Sequence, residues 1–319
     1  MVTAAALRIV FFGTPDFAVP TLEALLASRH SVAGVVTRQD RPRGRGQRTM
    51  EPPIKSVALD ARLPVLQPDR VADEGFLVSL TDMSADLFVV AAYGKILTSA
   101  ILAMPRLGAI NVHASLLPRY RGAAPIHRAI IAGEAETGIT IMRMVRALDA
   151  GPMLATASWT IGPDATSADL ERDLAGIGAR LLVSTVDQLA AGPVPEVPQD
   201  DRAATYAPRI VKEDGAVDWT RPASAIHNQI RGLHPWPHAF THHRGRRLIL
   251  LRSRVSPRAE EAAAPGTVVT AAGDTLDIAT GDGVLGITGL QAEGRRPMAA
   301  KEFLAGRTIS RGDVLSMQP

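Results

Sequence analysis

Three short apolar runs constrain the fold more than anything else in this chain. Leu7–Phe12, Asp86–Ala92 and Gly108–Ile110 are apolar almost throughout, with Arg8 and Asp86 their only charged residues. A strand with one wet face alternates polar and apolar residues. Unbroken apolar runs belong instead to strands covered on both sides, as in a parallel sheet flanked by helices. The links between the runs fit that sheet. Gly13-Thr14-Pro15-Asp16 reads as a helix start, with Thr14 at the N-cap and Pro15 at the first helical position. The helix then runs from Asp16 to Ser28, and Val32–Thr37 is the next strand. Strand, helix and strand in this order open a doubly wound, Rossmann-like α/β domain.

The dinucleotide-binding version of that fold needs three spaced glycines after the first strand and an acidic residue closing the second. Here Gly13 stands alone and the second strand closes on Thr37-Arg38, which argues against a nicotinamide cofactor. Further along, Ile54–Ala61 and Asp69–Leu80 read as helices and Leu63–Leu66 as a short edge strand. Gly138–Val145 and residues 153–161 read as strands, followed by a helix capped by Thr166 or Ser167 and reaching Ala190.

At 319 residues the chain suits two domains. Residues 1–192 make the first. Residues 193–208 are proline-rich and without periodicity, and read as a linker. Residues 209–319 carry a helix near Ala223–Leu233 and then several short strands between glycine turns, the pattern of a small, OB-like β-barrel.

Composition removes some chemistry. With no cysteine, the chain has no disulfide, no thiolate nucleophile and no cysteine-bound zinc. No apolar run approaches the ~20 residues that span a membrane, and the first strand begins at Leu7, leaving no room for a targeting segment. A cytoplasmic protein is the expectation. The net charge is +3, and the excess lies late: residues 208–319 carry 15 Lys and Arg against 11 Asp and Glu. His234, His238, His242 and His243 suggest a metal, but Pro235 and Pro237 break any helix that would align them and no acidic residue is near in sequence, so no metal is expected there.

The chemistry centres on Asn111-Val112-His113, which leads through Ala114-Ser115-Leu116-Leu117-Pro118 to a helix start at Pro125. Residues i and i+2 of a strand face one side, so Asn111 and His113 point together off the end of a buried strand. An amide can donate to a developing oxyanion, and an imidazole can stabilise it as a cation or move a proton. Asp149, in a turn of small residues, is a carboxylate that could reach His113 and orient its ring. The loop Arg38–Arg48 holds five arginines, one acid and two glycines. It reads either as a solvated surface loop or as an anion clamp at the ligand crevice.

Several motifs together resemble the folate-dependent formyltransferases, and among them the methionyl-tRNA formyltransferase family. They are Gly13-Thr14-Pro15-Asp16-Phe17, the loop containing Asp40-Arg41-Pro42 and Gly44-Arg45-Gly46, Ala92-Tyr93-Gly94, Asn111 to Pro118, Arg121-Gly122-Ala123-Ala124-Pro125-Ile126 and Leu148-Asp149-Ala150-Gly151. The resemblance implies a formyltransferase domain followed by a tRNA-binding barrel. It implies transfer of a formyl group from 10-formyltetrahydrofolate to the α-amino group of methionyl initiator tRNA, without a metal and by a monomer. Asn111, His113 and Asp149 then match the catalytic positions, and Ser115, Leu116, Leu117 and Pro118 the folate-binding segment. Arg41, Arg43 and Arg45 become candidates to grip the acceptor stem, and Arg209 and Lys212 lie in a segment similar to the family's basic stretch near the tRNA path. An amino-sugar formyltransferase and a formyltetrahydrofolate hydrolase are the alternatives. The chain departs from the family in having Val145 and Ala147 where Asp and Gly are frequent; a positive φ at Ala147 would strain the turn.

Overall fold

The computed structural model describes residues 5–43, 48–256, 263–306 and 309–318, and the chain divides into two units. One comprises Met1–Pro125, Glu136–Thr160 and Glu171–Ala207, the other Ile126–Ala135, Ile161–Leu170 and Pro208–Pro319.

The strands of the first unit are, in chain order, β1 (Arg8–Gly13), β2 (Ser31–Val36), β3 (Arg41–Arg43), β4 (Arg48–Met50), β5 (Val65–Leu66), β6 (Leu87–Ala91), β7 (Ala109–His113), β8 (Arg121–Gly122), β9 (Glu136–Arg143), β10 (Met153–Thr160) and β11 (Tyr206–Ala207). The helices as far as that point are α1 (Val19–Leu26), α2 (Pro53–Asp60), α3 (Glu74–Asp82), α4 (Ser99–Leu102), α5 (Pro125–Ala132) and α6 (Ser167–Ala191). A seven-stranded sheet has the order β10-β9-β7-β6-β1-β2-β5. β5, β2, β1, β6 and β7 run parallel, and β9 and β10 are antiparallel additions beyond β7. The runs expected to be covered on both faces are so: Ile9 to Phe12, Leu87 to Ala91 and Ala109-Ile110 are all buried. The chain leaves β1 toward β2 on one side and returns to β6 on the other. That reversal opens a crevice at the carboxyl ends of the strands.

Local departures from the sequence reading have physical causes. Thr14 is not an N-cap: its hydroxyl donates to the carbonyl of Tyr93 at 3.0 Å, and one 3₁₀ turn, Asp16–Ala18, precedes α1. α3 starts at Glu74 rather than Asp69, because Asp73 Oδ2 accepts the Arg70 N–H at 3.2 Å and folds the intervening residues into a turn. At α6 the cap is reciprocal: the Asp169 N–H donates to Thr166 Oγ1, and the Asp169 carboxylate accepts from the Thr166 N–H. The stretch read as a linker has regular partners. Val197 bridges Met153, Asp201–Ala203 is a 3₁₀ turn, and β11 pairs in parallel with β8.

The second unit holds α7 (Ala223–Gly232), β12 (Ala239–His243), β13 (Arg246–Val255), β14 (Val268–Ala272), β15 (Thr275–Ala279), β16 (Val284–Ala292), β17 (Met298–Ala299) and α8 (Ala300–Ala305). Its sheet has the order β12-β13-β16-β15-β14, with β17 on β16 and every pair antiparallel. The two edge strands are joined by the C-terminal segment. Ser316 exchanges backbone hydrogen bonds with His242 at 2.8 and 3.0 Å, while Asp313 and Leu315 bond Val268 and Gly266 at 2.8 Å. Closure makes the sheet a small barrel and removes open edges that would otherwise template pairing with other chains. Ile226 and Ile230 of α7 pack in its core with Leu250, Ile278, Leu285 and Leu290. The Trp219 indole, also buried there, donates to Thr241 Oγ1 at 3.0 Å.

His234 and His238 flank Trp236 in the loop before β12, with ring centroids 5.2 Å apart. The Nδ1 atom of each is buried without a hydrogen-bond partner. Burial holds both rings below the usual imidazole range; Arg252 adds to the effect at His234, and His234 and Arg247 add to it at His238. The unfolded chain therefore binds more protons than the folded one below the ordinary imidazole pKa of about 6.5, and stability falls as the pH drops through that value. The barrel is expected to lose more stability between pH 7 and 5 in the wild type than in a His234→Asn, His238→Met double variant, as read from denaturant midpoints at the two pH values.

Candidate active site

β7 ends the parallel series, and its last residues reach the crevice edge. His113 lies opposite Thr140 of β9 and Asn111 opposite Met142. Asn111 is half-buried, and His113 is buried at 5% exposure. Asp149 sits in the turn between β9 and β10, where its Oδ2 lies 3.7 Å from His113 Nδ1. That is ion-pair range but too long for a hydrogen bond. The other ring nitrogen, Nε2, is 3.0 Å from the Tyr120 carbonyl. A carbonyl can only accept, so Nε2 carries a hydrogen and donates it, leaving Nδ1 toward the carboxylate. Asp149 Oδ2 also accepts the Gly122 N–H at 2.8 Å.

The turn resolves the question raised by Ala147. That residue has no positive φ; the left-handed residue is Asp149 itself, at φ +48°. Aspartate tolerates this conformation better than most side chains. Gly151 follows it, and a β-carbon there would collide with the Arg143 carbonyl.

The segment from Ser115 to Pro118 turns back under β9. Ser115 is fully buried; its hydroxyl donates to the Arg119 carbonyl at 2.6 Å, and its own carbonyl accepts from Thr140 Oγ1 at 2.7 Å. Leu117 is buried, with its N–H on Thr140 Oγ1 at 3.2 Å and a cis peptide to Pro118. Leu116 and Pro118 remain half-exposed. Serine thus shapes the turn from inside, and the accessible face is apolar. Tyr93, at the end of β6, is buried, and burial pushes its phenol up to about 12 against the opposing charge of Arg38, so it stays protonated at neutral pH.

The basic loop forms the hairpin β3–β4. Arg41 is exposed, as are Arg209 and Lys212 in the second unit; Arg45 lies outside the described residues, as does the side chain of Arg43. At the hairpin's base Asp40 pairs with Lys55 at 2.6 Å and accepts from Gln67 at 2.7 Å, and these two partners hold its carboxyl below the usual range. Among the described residues no three His, Cys, Asp or Glu side chains gather as ligands for a metal. No described helix is long and apolar enough to cross a membrane.

Sequence reasoning missed the groups that hold this cluster. They are the Tyr120 carbonyl, the Gly122 N–H, Thr140, the Arg121 guanidinium and Gln199. Backbone groups leave no residue signal, and Gln199 lies about fifty residues beyond Asp149 in a stretch without periodicity.

An amide and an imidazole stand at the end of a buried parallel strand with a carboxylate alongside, and the domain matches give the class, a formyl transferase. Residues 7–186 match the formyl transferase model, and residues 209–308 match the model of the formyl transferase C-terminal domain. The methionyl-tRNA formyltransferase of Moorella thermoacetica is 46% identical over 97% of this chain and 99% of its own length. That of Pelobacter propionicus is 48% identical over 96% of this chain and 95% of its own. The chain belongs to the methionyl-tRNA formyltransferase family. An N-formyltransferase from Helicobacter canadensis, solved with folinic acid and dTDP-3-aminofucose, shares the fold at a TM-score of 0.67 and 16% identity, over 90% of this chain and 100% of that one.

Ser115→Ala removes a hydroxyl that closes the turn and leaves the Arg119 carbonyl without that donor. The expected loss is about 1–2 kcal/mol of stability, read from the denaturant midpoint.

Proposed function

We propose that this chain transfers the formyl group of 10-formyltetrahydrofolate to the α-amino group of methionyl initiator tRNA. The observation that carries the reading is the His113 ring, held at Nε2 by the Tyr120 carbonyl with Nδ1 toward Asp149, two residues from Asn111 on one strand. The near-full-length relatives named for this activity support the substrate pair.

The half-exposed apolar face of Leu116 and Pro118 suits one side of a flat heterocycle, and these residues with Ser115 and Leu117 would hold the folate. When bound, 10-formyltetrahydrofolate supplies the formyl carbon. The aminoacyl nitrogen attacks that carbon and a new C–N bond forms. The bond from the carbon to the folate nitrogen breaks, and the proton lost by the amine ends on that nitrogen. Negative charge grows on the formyl oxygen during attack. Asn111 can donate to it through its amide, and His113 through Nδ1–H, the ring nitrogen not engaged by Tyr120. The Asp149 carboxylate, 3.7 Å from Nδ1, orients the ring and can take up the amine's proton, directly or through water. No covalent enzyme intermediate is needed.

Arg41, Arg43 and Arg45 of the basic loop, with Arg209 and Lys212 in the second unit, are the proposed tRNA contacts. Contacts of this kind release counterions, so affinity falls steeply with salt.

The test is formyl incorporation into methionyl initiator tRNA by the wild type and by His113→Ala. The variant is expected to lose about 10²–10³ in kcat. Free formate as the product, or turnover with a nucleotide-linked amino sugar in place of tRNA, would overturn the reading. In the same assay Arg41→Ala and Lys212→Ala should each weaken tRNA binding and reduce the slope of log Kd against log salt by about one. An unchanged slope would remove that residue from the tRNA surface.

A further inference from the structure

The two family models leave residues 187–208 uncovered, yet this stretch meets the turn that carries Asp149. Gln199 Nε2 donates to the Asp149 carbonyl at 2.8 Å and to the Gly151 carbonyl at 2.7 Å. Its Oε1 accepts from Arg121 Nε at 3.0 Å and Nη2 at 2.8 Å. A side-chain amide has two N–H donors and two lone pairs, and here all four are engaged. The orientation is set by its partners: a flipped amide would turn its oxygen to two carbonyls and its N–H groups to a guanidinium.

These bonds close a circuit. The Asp149 carboxylate is held by the Gly122 N–H; Gly122 follows Arg121 in the chain; Arg121 grips Gln199; and Gln199 grips the Asp149 carbonyl. The Arg121 side chain is 4% exposed, while its other carboxylate partner, Asp201 at 2.7 Å, is 81% exposed. Solvent weakens the Asp201 arm, so the half-buried Gln199 is the less screened anchor of the guanidinium. The circuit encloses Asp149, whose backbone is left-handed at φ +48°. Such a conformation persists where its surroundings over-determine it.

We propose that Gln199 is a positioning residue for formyl transfer, setting the Asp149 carboxylate against His113 through the carbonyls of Asp149 and Gly151. The inference rests on the role given above to Asp149. A misplacement of about 1 Å at a reacting group costs on the order of 10²-fold in rate.

Gln199→Glu keeps the side chain's size and its contact to Arg121 but replaces both amide donors with an oxygen facing two carbonyls. Its kcat for formyl transfer is expected to fall about 10- to 100-fold, with KM for methionyl-tRNA unchanged. In an Asp149→Ala background the same substitution should have no further effect on kcat, since the group it positions is gone. Gln199→Met, neutral and of similar size, is to give the same pattern if the charge of Gln199→Glu impairs folding. A folded Gln199 variant with wild-type kcat, or one whose loss persists in full without Asp149, overturns the inference. The ¹⁵N shifts of the His113 ring give a readout that does not depend on turnover. They should change in the Gln199 variants, and unchanged shifts overturn the inference whatever substrate the wild type proves to use. A wild type that fails to formylate tRNA while its Gln199 variants still move the His113 signals sinks the assigned substrate and leaves the positioning role standing.

Discussion

The candidate site depends on three consecutive backbone units, Tyr120 to Gly122. The carbonyl of the first accepts from His113, and the N–H of the last donates to Asp149. One short run of chain thus offers an acceptor to the imidazole and a donor to the carboxylate, and spaces them by its own covalent geometry. The run is itself fixed from a distance. Arg121 and Gly122 pair with Tyr206 and Ala207, and the Tyr120 N–H donates to Thr205 Oγ1 at 2.9 Å. A β-carbon on Gly122, at φ +119°, would stand 2.8 Å from the Ala207 carbonyl. Glycine is required there both by its φ and by the closeness of β11.

This explains why part of the site was legible in the sequence and part was not. Asn111 and His113 could be placed together because strand periodicity is local and the run before them is apolar. The βαβ opening and α7 were legible for the same reason, since each shows a local apolar run or period even where its contacts are distant. β8 and β11 were not. Two-residue strands have no period, and their pairing joins positions about eighty-five residues apart. The proline-rich stretch read as a linker holds Gln199, Thr205 and β11, and its polar residues are partners for a turn and a strand that lie elsewhere in the chain. Thr14 shows the same limit at a smaller scale: its sequence neighbours predicted a cap, while the nearby Tyr93 carbonyl took its hydroxyl.

The segment after His113 shows how a polar residue can create an apolar surface. Ser115 is buried with its hydroxyl and carbonyl both hydrogen-bonded, and Thr140 bonds the segment twice, accepting from Leu117 and donating to Ser115. Buried polar groups must find partners, and here the partners bend the chain so that Leu116 and Pro118 stay half-exposed. The motif is therefore partly structural: its serine shapes the turn, and its neighbours supply the surface.

Charge at the crevice is arranged by a similar division of labour. The hairpin β3–β4 begins next to an acid, Asp40, whose charge is matched by Lys55, which also lies 3.1 Å from Glu51. The Gln67 amide bonds both Asp40 and the Arg38 carbonyl, tying the hairpin's entry to the residues after β5. At the base one ammonium faces two carboxylates over a few ångströms, within the screening length of about 8 Å at physiological salt. Beyond that base the loop carries arginines without a further acid. Of the loop's arginines Arg41 is exposed, while the half-exposed Leu116 and Pro118 are apolar, so the charged and the apolar surfaces are carried by separate segments of the chain.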